Sequence, residues 1–200
     1  MHVSKRIDRI ARQAIAPILK PPGFRKTGRN WRRTTAHGVQ IVNLQASSWN
    51  EPTSGRFTVN LAVYFPAEAE LADSVTAGRS APTHSHCIVQ ERIGLLMPEG
   101  ADHWWEVGCD EDEVEAGGEA AAAVARYGLP WLEAHSDPAI ARQWTESKRL
   151  LFWSAVFALR AGDSRAASDL LASALNAATD RPALEKRLRE WGVRQGLLVR

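Results

Sequence analysis

Apolar residues near the start of the chain recur every three or four positions, the spacing of one side of a helix. They are Val3, Ile7, Ile10, Ala11, Ala14, Ile15 and Ile18. Pro17 is expected to bend the last turn, because its ring clashes with the carbonyl group of Gln13. The sequence Pro21-Pro22-Gly23 then ends the predicted helix.

From residue 31 onward the period of the pattern changes to two, which is typical of strands. Residues 57–65 alternate apolar side chains with Thr58, Asn60, Ala62 and Tyr64, so this strand is predicted to have one core face. Residues 38–47 form a second predicted strand, and residues 31–34 pair with it across the turn 35–38. Two further strands are predicted at 86–92 and 103–108.

The stretch 66–83 is rich in Ala, Ser, Thr and Pro without a clear period, and it is predicted to be a loop or a mobile excursion. After residue 110 the pattern becomes helical, and Asp137-Pro138 supplies a cap followed by a proline at the first helical position. The fold class predicted is α+β: an N-terminal helix on an antiparallel sheet of about five strands, followed by a C-terminal helical bundle. Residues 1–135 would form the first domain, and residues 136–200 a helical extension docked on it.

The net charge of +2 hides a segregation of charge along the chain. Residues 1–40 contain ten Lys and Arg and one acid, Asp8, whereas residues 99–119 contain nine acids and neither Lys nor Arg. Blocks of opposite sign can meet in the fold and cancel much of each other's field. The longest apolar run, residues 150–159, is too short to span a bilayer, and we predict no membrane contact. With only Cys87 and Cys109, the chain has no disulfide framework, which favours the cytoplasm.

The N-terminal two thirds of the sequence resembles the uncharacterised bacterial domain family DUF4304. The resemblance lies in the order of a helix, "GFRKTGRNWRR" (23–33), a strand ending near "NLQASSW" and the strand "RFTVNLAVYF" (56–65), with "RIGLL" and "HWW" following. It implies an α+β domain with an antiparallel sheet. It implies no catalytic residue and no cofactor, and we expect none to be required.

The stretch 23–33 raises the possibility of nucleic-acid binding, because it combines five cations with two aromatic residues. Binding would require the cations to converge on phosphates while Phe24 or Trp31 stacks on a base. The five cations are Arg25, Lys26, Arg29, Arg32 and Arg33. The alternative, which we favour, is a solvated strand whose charges discourage aggregation.

A second possibility is a metal-dependent or cysteine-based hydrolase. Five residues offer ligand types that zinc prefers, although their spacing matches no zinc motif. They are His84, His86, Cys87, His103 and Cys109. Either cysteine could also act as a nucleophile with a histidine as base, but no strand-to-helix elbow or oxyanion-forming glycine pair accompanies them. A loop histidine pair with two small buried cysteines is the simpler interpretation.

Eight tryptophans are the remaining unusual feature, and tryptophan is enriched at protein interfaces. Trp104 and Trp105 are adjacent on a predicted strand, so they face opposite sides of the sheet. We predict that Trp49, Arg92 and Trp105 line a binding groove, in which Arg92 stacks on an indole or pairs with the acidic block. The sequence therefore favours a non-enzymatic protein-binding module, an adaptor or an antagonist of a bacterial toxin, with a protein as partner.

Overall fold

The computed structural model describes residues 2–199 as an α+β fold with six strands and nine α-helices. The strands are β1 Arg25–Thr27, β2 Asn30–Thr34, β3 Val39–Ala46, β4 Gly55–Tyr64, β5 Val89–Arg92 and β6 Trp105–Val107. The helices are α1 Val3–Ile10, α2 Ala16–Leu19, α3 Pro66–Leu71, α4 Asp110–Ala123, α5 Leu129–His135, α6 Pro138–Ser147, α7 Leu151–Arg160, α8 Ser164–Asn176 and α9 Pro182–Arg194. Within this described range, no helix combines the length and the apolar character needed to cross a membrane.

The described chain divides into two compact units. Unit 1 contains the residues up to Tyr64 together with Ala81–Ser136, and unit 2 contains Phe65–Ser80 together with the residues from Asp137 onward. All strands lie in unit 1. The stretch 66–83, predicted to be a loop, in fact begins with α3, because Pro66 occupies the first helical position, where its missing N–H is not needed.

The sheet of unit 1 is antiparallel throughout, with the order β1-β2-β3-β4-β5, and β6 also pairs with β4. β4 is the central strand. It pairs with β3 along one side, and on its other side with β5 at Asn60–Val63 and with β6 at Gly55–Phe57. The predicted meander is confirmed. β1 agrees with the favoured interpretation of residues 23–33 as a solvated strand, since its three residues are all exposed, while the alternation of apolar residues placed no strand before Trp31.

The N-terminal helix runs from Val3 to Leu19 as predicted, with a π-helical turn at Ala11–Ile15 between α1 and α2. This turn comes just before Pro17, whose ring and missing N–H disturb the regular α-helical pattern of hydrogen bonds. The predicted encounter of opposite charges is confirmed here. Arg6 is paired with Asp110 and, over 3.3 Å, with Glu113, while Arg9 lies 3.2 Å from Glu113.

β4 was predicted to have one core face, but both of its faces are buried. One face, which we call the helix face, carries Phe57, Val59, Leu61 and Val63. The helical segment following α4 packs on it so closely that a Cβ added to Gly128 would lie 3.3 Å from Leu61. The opposite face carries Thr58 and Asn60, which are 0% and 7% exposed. The short 3-10 turn His84–His86 contacts β3 and β4 and provides part of the cover.

Unit 2 consists of α3 and the helices α6 to α9. The start of α6 follows the predicted signal, because the side chain of Asp137 accepts a hydrogen bond from the N–H of Ala139. The side chain of Asp163 caps α8 in a similar way by accepting one from the N–H of Ala166. Gly162, at φ 83°, lies in the turn that separates α7 from α8. The core of this unit includes Val156, Leu171 and Trp191.

Candidate functional site

A row of amide side chains crosses the face of the sheet opposite the helix face. Asn43 donates to the side-chain oxygen of Asn30 over 3.0 Å, and Asn60 donates to Asn43 and Gln45 over 3.1 and 2.8 Å. The row exists because strand register places Asn30, Asn43 and Asn60 side by side on β2, β3 and β4. We call this side of the sheet the polar face. Asn43 and Asn60 are buried, whereas Asn30 and Gln45 are partly exposed.

Trp104 lies beside the polar face, within reach of two guanidinium groups. The Arg56 and Arg92 guanidinium carbons are 5.3 and 5.2 Å from the centroid of its ring, within the range of cation–π attraction. The strand register explains the arrangement. Arg92 of β5 pairs with Asn60 of β4 and therefore lies on the polar face. Arg56 also lies on this face, because it is adjacent on β4 to Phe57, which points to the helix face. The indole is half-buried, so one part of it stays available to solvent.

Asp102 fixes this arrangement. Its Oδ2 atom accepts hydrogen bonds from Arg92 over 2.8 Å and from the indole Nε1 of Trp104 over 2.9 Å. Slight burial disfavours its charged form, but the hydrogen bonds from Arg92 and Trp104 and the charge of Arg92 outweigh this and lower the pKa of Asp102. The carboxylate is therefore ionised at neutral pH. Both interactions predicted for Arg92 occur: it stacks on the indole of Trp104, and it pairs with Asp102 of the acidic block.

Two buried polar atoms at the polar face have no hydrogen-bond partner among the described residues: Oγ1 of Thr58 and Nδ1 of His84. Burial, and then the positive charges of Arg92 and His86, lower the pKa of His84, which favours a neutral imidazole. Buried polar groups are nearly always hydrogen-bonded, because losing water without replacement costs about 1–3 kcal/mol each. These two atoms thus have hydrogen-bonding capacity that no residue of 2–199 satisfies.

We expect Thr58→Val to stabilise the protein. The substitution keeps the branched shape and removes the buried hydroxyl, so the free energy of unfolding should rise by about 1–2 kcal/mol. Equilibrium urea denaturation measures it, and Thr53→Val, at an exposed position of the β3–β4 loop, is the control. A clear loss of stability for Thr58→Val would instead mean that the hydroxyl makes a stabilising hydrogen bond.

Gly94 sets the position of the segment that carries Asp102 and Trp104. A Cβ atom at residue 94 would lie 2.6 Å from the backbone N of His103, and closer still to the carbonyl oxygen of Ala101. Both neighbours are backbone atoms, so the whole segment would have to move. A glycine is needed here because the two chain segments approach so closely.

Gly94→Ala is therefore expected to lower the free energy of unfolding by about 1–3 kcal/mol, the usual cost of overpacking. It should also separate Trp104 from Arg92, which a change in near-ultraviolet circular dichroism would report. Gly118→Ala is the matched control, because a Cβ there meets nothing within 4 Å. That helical substitution should stabilise the protein by about 0.5–1 kcal/mol. Equal stability of Gly94→Ala and the wild type would contradict the close approach.

The groove predicted from Trp49, Arg92 and Trp105 does not form as predicted. Trp105 is 3% exposed on the helix face, where its ring stacks on Phe57 with centroids 5.5 Å apart. It is Trp104 that lies beside Arg92. Trp49 is 86% exposed in the loop between β3 and β4. The two adjacent indoles do face opposite sides of the sheet. However, Trp105, which was predicted to line the groove, is the core residue, and Trp104 is the partly exposed one.

The five cations of residues 23–33 do not point to one place. Arg29 is 2.7 Å from Asp8, Nε of Arg32 donates to the carbonyl of Pro82 over 2.6 Å, and Arg33 is paired with Glu133. Arg25 and Lys26 are exposed on the edge strand β1, and Nζ of Lys26 lies 5.6 Å from the centroid of Trp31. Phe24 and Trp31, the two candidate stacking residues, are both buried in the core.

The candidate metal ligands and nucleophiles are not gathered into a cluster either. His84, His86 and Cys87 share one short segment, whereas the ring of His103 packs edge-on against Trp105 and Cys109 is exposed before α4. Across residues 2–199, no three His, Cys, Asp or Glu side chains are placed to hold a metal ion. Burial raises the pKa of Cys87 to about 12, so its thiol stays protonated at neutral pH and lacks the charge of a nucleophile.

Comparison with known proteins identifies a family for the larger part of unit 1. The family described as Domain of unknown function (DUF4304) matches residues 15–134, which include the amide row, Arg56, Arg92 and Trp104. Searches of curated proteins and of solved structures found no match.

Proposed function

Since the chain belongs to the family DUF4304 through residues 15–134, we propose that this domain binds another protein on the polar face of its sheet, as an adaptor or as the antagonist of a toxin. The observation that carries the proposal is the half-buried indole of Trp104 within reach of two guanidinium groups. Tryptophan and arginine are the residues most enriched among interface hot spots. Here Asp102 holds the indole and Arg92 in place before any partner arrives, which reduces the entropy lost on binding.

The chemistry of the polar face indicates the kind of partner. Arg56 and Arg92 carry two positive charges, and Asp102 and Glu106, the latter opposite Arg56 in the β4–β6 pairing, carry two negative ones, so the guanidinium groups offer donors to a partner's carboxylate on a surface that is balanced in charge. Asn30 and Gln45, the partly exposed members of the amide row, add donors and acceptors that suit the backbone of a peptide. The partner we propose is therefore a protein that places carboxylate and backbone groups against Trp104.

We place this function in the cytoplasm. Cys87 and Cys109 are free thiols, as a reducing compartment favours, and burial keeps Cys87 out of redox reactions. An antagonist of this kind would act by occupying a surface of its target and would need no chemistry of its own.

The experiment is affinity capture from the lysate of the organism of origin, with the full chain immobilised, with and without nuclease, and at two salt concentrations. Wild type is compared with Trp104→Ala and with Trp144→Ala. Trp144 is the matched control, because it is also a half-buried indole with a cation over its ring, Lys148 at 5.4 Å, but it lies in unit 2.

We expect one protein to be retained stoichiometrically by wild type and Trp144→Ala after nuclease treatment. Trp104→Ala should reduce its affinity about tenfold or more, the usual effect of truncating a hot-spot residue. Thermal unfolding of each variant establishes that the fold is intact. Equal capture by Trp104→Ala would contradict the proposal. Capture of nucleic acid that disappears with nuclease and high salt would replace it with binding through the basic N-terminal residues.

A further inference from the structure

Unit 2 contains an open cleft of about 370 Å³ whose walls are mainly apolar. It lies between the start of α7, the end of α8 and the start of α9. Phe152 and Trp153 form one wall, Leu184 and Leu188 form the other, and Val75 stands at the margin with 91% of its surface exposed. The volume falls in the range typical of small-molecule sites, about 300–1,000 Å³.

Three arginines surround this apolar space: Arg149, Arg181 and Arg187. Arg181 donates to the carbonyl of Ala177 over 2.8 Å at the end of α8. Among residues 2–199, no carboxylate lies within ion-pair distance of any of the three, although other arginines of the unit, such as Arg142 and Arg189, do pair with acids. The lining therefore joins an apolar interior to three arginines that form no ion pair with any residue of 2–199.

The backbone at Arg149 provides a separate sign that this side chain is needed. Arg149 has φ 56°, in the left-handed region, and it follows α6 at a position where glycine is the usual residue. The turn closes with the N–H of Leu150 donating to the carbonyl of Thr145 over 2.9 Å. A non-glycine residue in this conformation is strained, and such strain is concentrated at functional sites.

We propose that this cleft binds a single-chain acyl carboxylate, with the chain between Phe152, Trp153, Leu184 and Leu188 and the carboxylate facing the arginines. Charge complementarity selects the anionic head group, because each guanidinium offers paired donors that match a carboxylate. The apolar walls select the chain. The limited volume favours one flexible chain over a folded partner segment. This ligand site is independent of the protein-binding face proposed for unit 1.

The first test is isothermal titration calorimetry of the full chain with octanoate, decanoate and dodecanoate, each below its micelle-forming concentration. Each buried methylene group should lower the dissociation constant about fourfold. Each step in the series adds two methylene groups, so it should lower the dissociation constant about fifteenfold. We expect one ligand to bind per chain. Dodecanol, which has the same chain without the charge, should bind about tenfold more weakly than dodecanoate.

The second test uses variants whose folding is secured by the structure. Arg149→Gly removes a guanidinium and the backbone strain together, so it should unfold at a higher temperature and yet bind dodecanoate about tenfold more weakly. Ala177→Phe, at an exposed position lining the cleft, should block binding by occupying the space. Arg165→Gln, an exposed arginine on α8 that does not line the cleft, should bind as wild type does.

Affinity that does not depend on chain length, several ligands per chain, or unchanged binding in Arg149→Gly and Ala177→Phe would each overturn the proposal. So would failure of all three carboxylates to bind while an acidic amphipathic peptide does, since the cleft would then be a peptide groove. Because none of these variants touches Trp104 or the polar face, failure here leaves the capture result for unit 1 unaffected.

Discussion

Trp105→Ala is expected to lower the free energy of unfolding of unit 1 by about 3–5 kcal/mol, the usual cost of removing a buried aromatic side chain. Trp105 is 3% exposed, stacks on Phe57 and donates from Nε1 to Glu119 of α4 over 3.1 Å. The substitution leaves a cavity between sheet and helix and removes the donor for Glu119. Urea denaturation followed by circular dichroism measures the change.

The neighbouring substitution Trp104→Ala is the internal control, because it removes the same side chain from the other side of the sheet. Trp104 is only half-buried, and its stacking with Arg56 and Arg92 is partly exposed, so the expected loss is about 1 kcal/mol. Similar losses for the two variants, or a larger one for Trp104→Ala, would mean that the two faces have been assigned the wrong way round.

Trp191→Ala is expected to have an effect of the same size on unit 2, again about 3–5 kcal/mol. Trp191 is 2% exposed, and the edge of its ring meets Phe152 with centroids 5.0 Å apart. Its Nε1 atom donates to the carbonyl of Leu71 over 2.7 Å, which ties the end of α3 to α9. Hydrogen exchange should therefore show lost protection in residues 65–80 as well as in α9.

Trp191→Phe separates the two contributions. It keeps an aromatic ring in the core but leaves the Leu71 carbonyl without its donor, so a smaller loss of about 1–3 kcal/mol is expected. Unchanged protection of residues 65–80 in Trp191→Ala would contradict the attachment of α3 through this residue. Trp153→Phe, at the half-buried wall of the cleft, should have little effect on this segment.

The fold class could be predicted because most elements carry a local signal. The period of three to four residues up to Ile18, the alternation around β4 and the cap at Asp137 each depend on neighbouring residues alone. α3 lacked such a signal, and β1 was indicated only by the charges of residues 23–33. β1 is a charged three-residue edge strand formed by pairing with β2, and α3 is a single short helix in an alanine-rich stretch.

The candidate site could be predicted only in part, because it depends on which face of the sheet is covered. Alternation places Trp104 and Trp105 on opposite sides, but it does not indicate that α4 covers the side of Trp105. The amide row is similarly invisible in the sequence. Asn30, Asn43 and Asn60 are far apart along the chain, and only strand register brings them together.

The burial of Thr58 was also beyond a pattern-based prediction. In the alternating stretch 57–65, polar residues such as Thr58 and Asn60 indicate a solvent-facing side. The turn His84–His86 contacts β4 on the way into β5, and its sequence carries no sign of this. The buried hydroxyl of Thr58 and the buried ring nitrogen of His84 therefore emerged only from the tertiary structure.

The most direct measurement of the proposed function is hydroxyl-radical footprinting of the chain, free and in complex with the captured protein, read by mass spectrometry at each tryptophan. Half-buried Trp104 should be oxidised in the free chain and clearly protected in the complex, while half-buried Trp144 of unit 2 should react equally in both. Unchanged oxidation of Trp104 in a saturated complex would contradict the account and place the partner elsewhere on the protein.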